Sequence, residues 1–188
     1  MGTRNLTVVV KNGEYKIAKY CQWDGYPEGQ GIDVLKFARK LLNADCRKVF
    51  EEKVDAIVPA TQEYIDSLNE KIDKGEYSNW TQVFPEFSRD TGAEILDIVL
   101  ERYNGLILNP YIEFAADSLF CEWAYVIDLD NNTFEVYEGF NEEPLAENDR
   151  FYFLRDKESG KYHGVKIVAE WNLENLPSDE EFVDSFNN

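Results

Sequence analysis

Hydrophobic and polar positions change period several times along the chain, and each change marks an element. Leu6-Thr-Val-Val-Val10 is β-branched and apolar and reads as a strand. Asn12-Gly13 follows, a two-residue hairpin signal, because a type I′ turn needs positive φ at both of its central positions. From Glu14 to Cys21, Tyr15, Ile17 and Lys19 alternate with Lys16, Ala18 and Tyr20, which predicts a second strand. The chain therefore opens with a β-hairpin.

The period then switches to that of a helix. Val34, Leu35, Ala38, Leu41 and Leu42 share one face of a helix starting near Ile32 or Asp33, with Lys36, Arg39 and Lys40 outside. Residues 45–60 read as a short helix or loop. Thr61 caps a helix running to about Lys74, with Tyr64, Ile65, Leu68 and Ile72 on its apolar face and Gly75 as its stop. An aromatic loop follows from Glu76 to Arg89, carrying Tyr77, Trp80, Phe84 and Phe87. Thr91-Gly-Ala-Glu94 has capping-box spacing and opens a helix to about Tyr103, ended by Gly105. Apolar residues Ile95, Leu96, Ile98, Val99 and Leu100 surround most of that helix, so it is expected to be the most buried one.

Period two returns in Leu119–Leu129 and Thr133–Gly139, two strands joined by Asp130-Asn-Asn132, and in Phe151–Leu154 and Tyr162–Leu173, joined around Ser159-Gly160. Ser178-Asp-Glu-Glu181 is a second capping box, opening a short C-terminal helix with Phe182, Val183 and Phe186. Strands and helices are segregated along the chain. The expected fold is a single α+β domain over residues 1–188: an antiparallel sheet of about six strands, with three to four helices on one face.

Between the opening hairpin and the first helix lies Gln22–Gly31, QWDGYPEGQG. Gly25, Gly29 and Gly31 make positive φ available there, and Pro27 fixes its own φ. Trp23 and Tyr26 each need a surface to lie on and a partner for the polar edge. This segment asks for a specific shape.

Charge changes the picture further. Nineteen basic and 37 acidic side chains leave −18, unevenly distributed: residues 1–50 carry nine Lys/Arg against five Asp/Glu, and residues 51–188 carry ten against 32. Such a field repels nucleic acid and attracts basic proteins. No apolar run approaches the roughly 20 residues of a membrane helix. The first residues lack a signal-peptide h-region, and Leu6 stands where myristoylation wants Ser or Thr. Cys21, Cys46 and Cys121 show no CxxC or metal spacing and are expected to be reduced thiols in a cytoplasmic protein. No cofactor and no metal are expected.

Four constellations carry possible chemistry. Asp128-Leu-Asp130-Asn-Asn132 begins like a calcium loop, but Thr133 and Gly139 stand where Gly and Glu belong, which favours a polar turn. His163 is the only histidine and could serve as base to Cys21 or Cys121. A glycine-rich loop leading into a helix is the general form of an anion site, yet P-loop and dinucleotide spacings are missing, and Glu28 and Asp33 bring the wrong charge. The most chemically suggestive group is Arg4 with Asp24, Tyr26 and Glu28, because the hairpin brings the start of one strand beside the end of the next. Arg4 pairing with Asp24 would leave Asp24 or Glu28 as base and Arg4 as electrophile in a small hydrolase or nuclease site. The acidic stretch Glu135, Glu138, Glu142, Glu143 and Glu147 is the expected binding face for a basic protein.

Met-Gly-Thr-Arg at the start, the Tyr20…Trp23-Asp24-Gly25-Tyr26-Pro27-Glu28-Gly29-Gln30-Gly31 segment, Asp90-Thr-Gly-Ala-Glu-Ile-Leu96 and Cys121-Glu-Trp-Ala-Tyr-Val-Ile-Asp128 together resemble a family of small phage and prophage proteins. The resemblance spans much of residues 1–140, and residues 141–188 carry no part of it. It implies a mobile-element origin. Some acidic phage proteins of this size are anti-CRISPR inhibitors, so the implied function is counter-defence: binding a basic host protein, a Cas9-type nuclease or its guide complex, in the bacterial cytoplasm, without direct DNA or membrane binding.

Overall fold

The computed structural model describes residues 2–77, 84–102, 104–157 and 160–187. Its centre is a five-stranded sheet in the order β2-β1-β5-β6-β7. β1 (Asn5–Lys11) and β2 (Glu14–Cys21) form the expected hairpin, and Asn12 and Gly13 hold φ of 56° and 71°. β5 (Trp123–Asp128) lies parallel to β1, whereas β6 (Thr133–Glu138) and β7 (Lys166–Asn172) continue antiparallel from it. A parallel neighbour needs a long crossover. Here the crossover is the chain from Gln22 to Glu122, and it carries α1 (Ile32–Lys40), α2 (Ala44–Asp55), α3 (Gln62–Asp73) and α4 (Ile95–Glu101). It also carries β3 (Val58–Pro59) and β4 (Ile107–Leu108), which form a separate two-stranded parallel ladder.

The architecture is α+β with a mainly antiparallel sheet. The parallel β1–β5 pair departs from the all-antiparallel expectation. β1 is buried on both sides because it sits between two neighbours and under two layers. Val9, Tyr125, Ile127, Phe134 and Val136 point to one face, where α1, α2, α4 and the C-terminal helix α5 (Asp179–Asp184) lay down Val34, Leu35, Phe37, Phe50, Val54, Ile95, Leu96, Val99 and Phe182. Leu6, Val8, Val10, Ala124, Val126 and Tyr137 point to the other face. That second face is covered by 3₁₀ turns at Ile112–Ala116 and Tyr152–Lys157 and by the chain around Leu145 and Val165.

α4 buries four of its seven residues, a larger share than any other α-helix among the described residues, as its all-round apolar pattern predicts. The capping box expected before it does not form. Thr91 is already helical in φ and ψ, and its hydroxyl donates to the Pro85 carbonyl instead. Ser178 and Glu181 do form theirs, and Thr61 accepts from the Tyr64 amide as expected. Phe151–Leu154, expected as a strand, enters the 3₁₀ turn: Phe151 and Leu154 are buried three residues apart while Phe153 is exposed, which is a helical repeat. Leu42 lies past the end of α1 and is exposed. Trp80, Tyr103 and Ser159 lie outside the described residues. No described helix is long and apolar enough to cross a membrane.

Candidate functional site

The strand register places the ends of four strands together: Asn5 pairs with Cys21 and with Trp123, and Trp123 pairs with Glu138. The residues just beyond those pairs therefore share one end of the sheet. Gln22–Gly31 occupies it as a folded unit. The Gly25 amide donates to the Thr3 carbonyl at 3.0 Å, the Gln30 amide to the Asp24 carbonyl at 2.8 Å, and the Tyr125 hydroxyl to the Gly25 carbonyl at 2.7 Å. Pro27–Gly31 winds into one wide π-type turn that runs into α1. The positive φ falls on Asp24, at 55°, and not on the three glycines. Glycine is needed there for contact: a Cβ on Gly31 would stand 2.9 Å from the Tyr125 ring. The Gln30 side chain reaches across to accept from the Ala93 amide at 2.6 Å, capping the turn before α4 where Thr91 does not.

The proposed catalytic group is not assembled. The Arg4 guanidinium lies 5.0 Å from the Phe120 ring centre, and no ion pair joins it to Asp24 among the described residues. The side chains of Asp24, Tyr26 and Glu28 are exposed. Trp23 is 47% exposed and donates its indole N–H to Asp90 at 2.9 Å. Loop shape thus comes from backbone bonds and close packing, leaving Trp23, Tyr26, Asp24 and Glu28 facing solvent. Phe120 and Phe140, three residues before β5 and two after β6, are exposed at the same end, so aromatic surface is mixed with carboxylates there. The C-terminal helix α5 packs against the Pro27–Gly31 turn and adds Glu180, Glu181 and Asp184, all exposed.

The acidic stretch is divided by the structure. Glu138, Glu142, Glu143 and Glu147 are exposed, but Lys161 meets Glu142 at 2.5 Å and Lys166 meets Glu143 at 2.8 Å, so half of that surface is neutralised. Glu135 does not belong to it. At 3% exposure it is buried, and Arg150 holds it through Nη2 at 2.5 Å and Nε at 2.7 Å, while the Thr133 and Tyr137 hydroxyls donate to it at 2.8 and 2.6 Å. A strand that alternates Phe134 and Val136 with Thr133, Glu135 and Tyr137 reads as half-solvated. The segment bearing Arg150, which carries no motif, covers that side.

Asp128 completes this second cluster at 1% exposure, accepting from Arg150 Nη2 at 2.6 Å and from the Asp130 and Asn131 amides. Burial alone would raise its pKa, but the Asn131 amide and the guanidinium outweigh burial and hold it below the usual value. Burial would lower the pKa of Arg150, and Glu135 and Asp128 raise it instead. Burial and then Glu135 push the Tyr137 hydroxyl up. The Asp128–Asn132 stretch is thus a polar turn tied to an ion pair, and no group of three or more metal-ligating side chains occurs among the described residues.

The cysteines are not built as nucleophiles. Cys21 and Cys121 are buried, and burial pushes both thiols up, where a nucleophile would need the reverse. Comparison of the chain with protein-family models, with curated proteins and with solved structures returned no match.

Proposed function

We propose that this chain is a binding protein whose acidic, aromatic-studded sheet end docks on a basic host protein, and that the partner is a Cas9-type nuclease or its guide complex, which the protein inhibits as a phage or prophage counter-defence factor. The observation that carries this reading is the unbalanced charge of the C-terminal helix that packs against the Pro27–Gly31 turn. α5 holds Asp179, Glu180, Glu181 and Asp184 with no Lys or Arg, and among the described residues only Asp179 of these meets a cation, Arg39 at 2.5 Å. Carboxylates presented in this way stand in for phosphates in a cationic groove. Trp23, Tyr26, Phe120 and Phe140 supply the kind of anchors that dominate binding energy at protein interfaces. The rival reading, a hydrolase or nuclease on Arg4, Asp24, Tyr26 and Glu28, has no converging geometry behind it.

The test is target-DNA cleavage by a guide-loaded Cas9-type nuclease with increasing amounts of this protein. Inhibition is expected, and it should be relieved by the combined reversal Glu180→Lys and Asp184→Lys. Cleavage that continues unchanged at a large excess of the folded protein would overturn the proposal.

A further inference from the structure

The chain contains two Asn-Gly steps, Asn12-Gly13 and Asn104-Gly105, and their surroundings differ. Asn-Gly is the dipeptide most prone to deamidation, because glycine has no Cβ to hinder its own backbone nitrogen as a nucleophile. The first step joins β1 to β2, and the second lies between α4 and β4. Both asparagines are exposed, so water and base reach either one. Exposure therefore does not separate them. We propose that Asn104 is a modification site, converting spontaneously to isoaspartate in the folded protein, whereas Asn12 is locked against the same reaction. The partner-docking role of the sheet end is not needed for it.

The reaction requires a movable asparagine side chain and an uncommitted N–H on the following glycine. The glycine nitrogen gives its proton to solvent base and attacks the asparagine Cγ, forming a C–N bond. The bond from Cγ to the side-chain nitrogen breaks, and ammonia leaves. Water then opens the cyclic imide. Opening at one carbonyl gives isoaspartate, with a methylene inserted into the backbone, and opening at the other gives aspartate. Water is the only co-reactant, and no oxidant or reductant is involved.

At Asn12-Gly13 every reacting group is held. The Gly13 amide donates to one Asp130 carboxylate oxygen at 2.8 Å and the Asn12 amide to the other at 2.8 Å, while the Asn12 side chain donates to Asp55 at 3.0 Å. A carboxylate acceptor opposes loss of the Gly13 proton, since the nitrogen anion left behind would face it. The pairing of Lys11 with Glu14 closes the same turn from both sides. At Asn104-Gly105 none of these restraints exists. Neither the Asn104 side chain nor the Gly105 amide has a hydrogen-bond partner among the described residues. No strand pair closes this turn, because α4 ends at Glu101 and β4 begins only at Ile107. A Cβ on Gly105 would meet the Ala56 carbonyl oxygen alone among the described residues, at 3.9 Å, so the imide ring has room to form. The product adds a carboxylate and lengthens the backbone just before the buried Leu106.

The experiment is peptide mass spectrometry of the full chain aged in mildly alkaline buffer, with electron-transfer fragmentation to tell isoaspartate from aspartate. Deamidation at Asn104 is expected to run about tenfold or more ahead of that at Asn12, the scale set by breaking hydrogen bonds to a carboxylate. Asn104→Gln should abolish the signal at that position, because the longer side chain closes a less favourable ring. Asp130→Ala should free the Gly13 amide and speed the reaction at Asn12 while leaving that at Asn104 unchanged. Ageing the wild type in denaturing urea supplies the same contrast without a variant: Asn12 should accelerate until the two rates converge, and Asn104 should change little. Equal rates at the two sites in the folded chain, or a rate at Asn104 that rises on unfolding as much as that at Asn12, overturns the proposal.

Discussion

Removing the Arg150 guanidinium is the sharpest stability test that the structure offers. Arg150→Met keeps most of the aliphatic volume but leaves Asp128 and Glu135, at 1% and 3% exposure, without their cation. Breaking a buried ion pair from one side costs about 3–5 kcal/mol, mostly the penalty of the charges left behind. Arg150 itself retains 15% side-chain exposure, so some water reaches the site and the lower half of that range is expected. Urea denaturation followed by far-UV circular dichroism reads this as a lower midpoint with an unchanged slope. The sign with pH is also fixed. Asp128 has a folded pKa below its unfolded one, so its stabilisation is present above the unfolded value and is lost as pH falls through the folded value. The wild type should therefore lose its advantage over Arg150→Met as both are acidified. Adding Glu135→Gln to Arg150→Met should restore part of the loss, because the neutral amide is cheaper to bury. A cost under about 1 kcal/mol for Arg150→Met, typical of a surface pair, would show that the cluster is solvated and refute the reasoning.

Three further outcomes follow from the core. Leu96→Ala, at a fully buried position of α4, should cost about 2–5 kcal/mol in the same assay. Tyr125→Phe removes the hydroxyl that donates to the buried Gly25 carbonyl and should cost about 1–3 kcal/mol, loosening the 22–31 loop so that Trp23 fluorescence shifts. Lys19 is 4% exposed, its amine donates to the Glu86 carbonyl at 3.0 Å, and burial lowers its pKa from 10.5 to about 8. Because its folded value lies below its unfolded one, the unfolded chain binds the extra proton and stability is gained as pH rises from 8 towards 10.5. Measured as the difference between wild type and Lys19→Met, which cancels the cysteines and tyrosines common to both, the gain from about pH 7 to 9.5 should be about 2 kcal/mol.

Much of the fold was legible in the chain because its signals are local. Asn12-Gly13, the alternation in Glu14–Cys21, the all-round apolar α4 and the Ser178–Glu181 box each act within a few residues, and each appears as expected. What was not legible depends on pairing at a distance. The parallel register of β1 with β5 unites residues more than a hundred positions apart, and nothing in either strand names its neighbour. Glu135 could not be separated from Glu142 and Glu143 by sequence, since the three differ in whether Arg150 or a surface lysine answers them. The 22–31 segment was recognisable as shaped, but its glycines serve contact with Tyr125 and neighbouring backbone instead of positive φ. One practical consequence is that Glu135→Lys should unfold the protein, whereas Glu142→Lys and Glu143→Lys should leave it folded.

The most direct test of the partner-binding role is the association rate with a guide-loaded Cas9-type nuclease as a function of ionic strength, measured by stopped flow or surface-based kinetics. Attraction between an acidic face and a cationic groove is screened over a Debye length of about 8 Å at physiological salt. Raising salt from about 50 to 500 mM should therefore slow association by about tenfold or more with little change in dissociation, and reversing Glu180 and Asp184 together should reproduce much of the slow rate at low salt. An association rate indifferent to salt and to those reversals, or no association at all, would contradict the role.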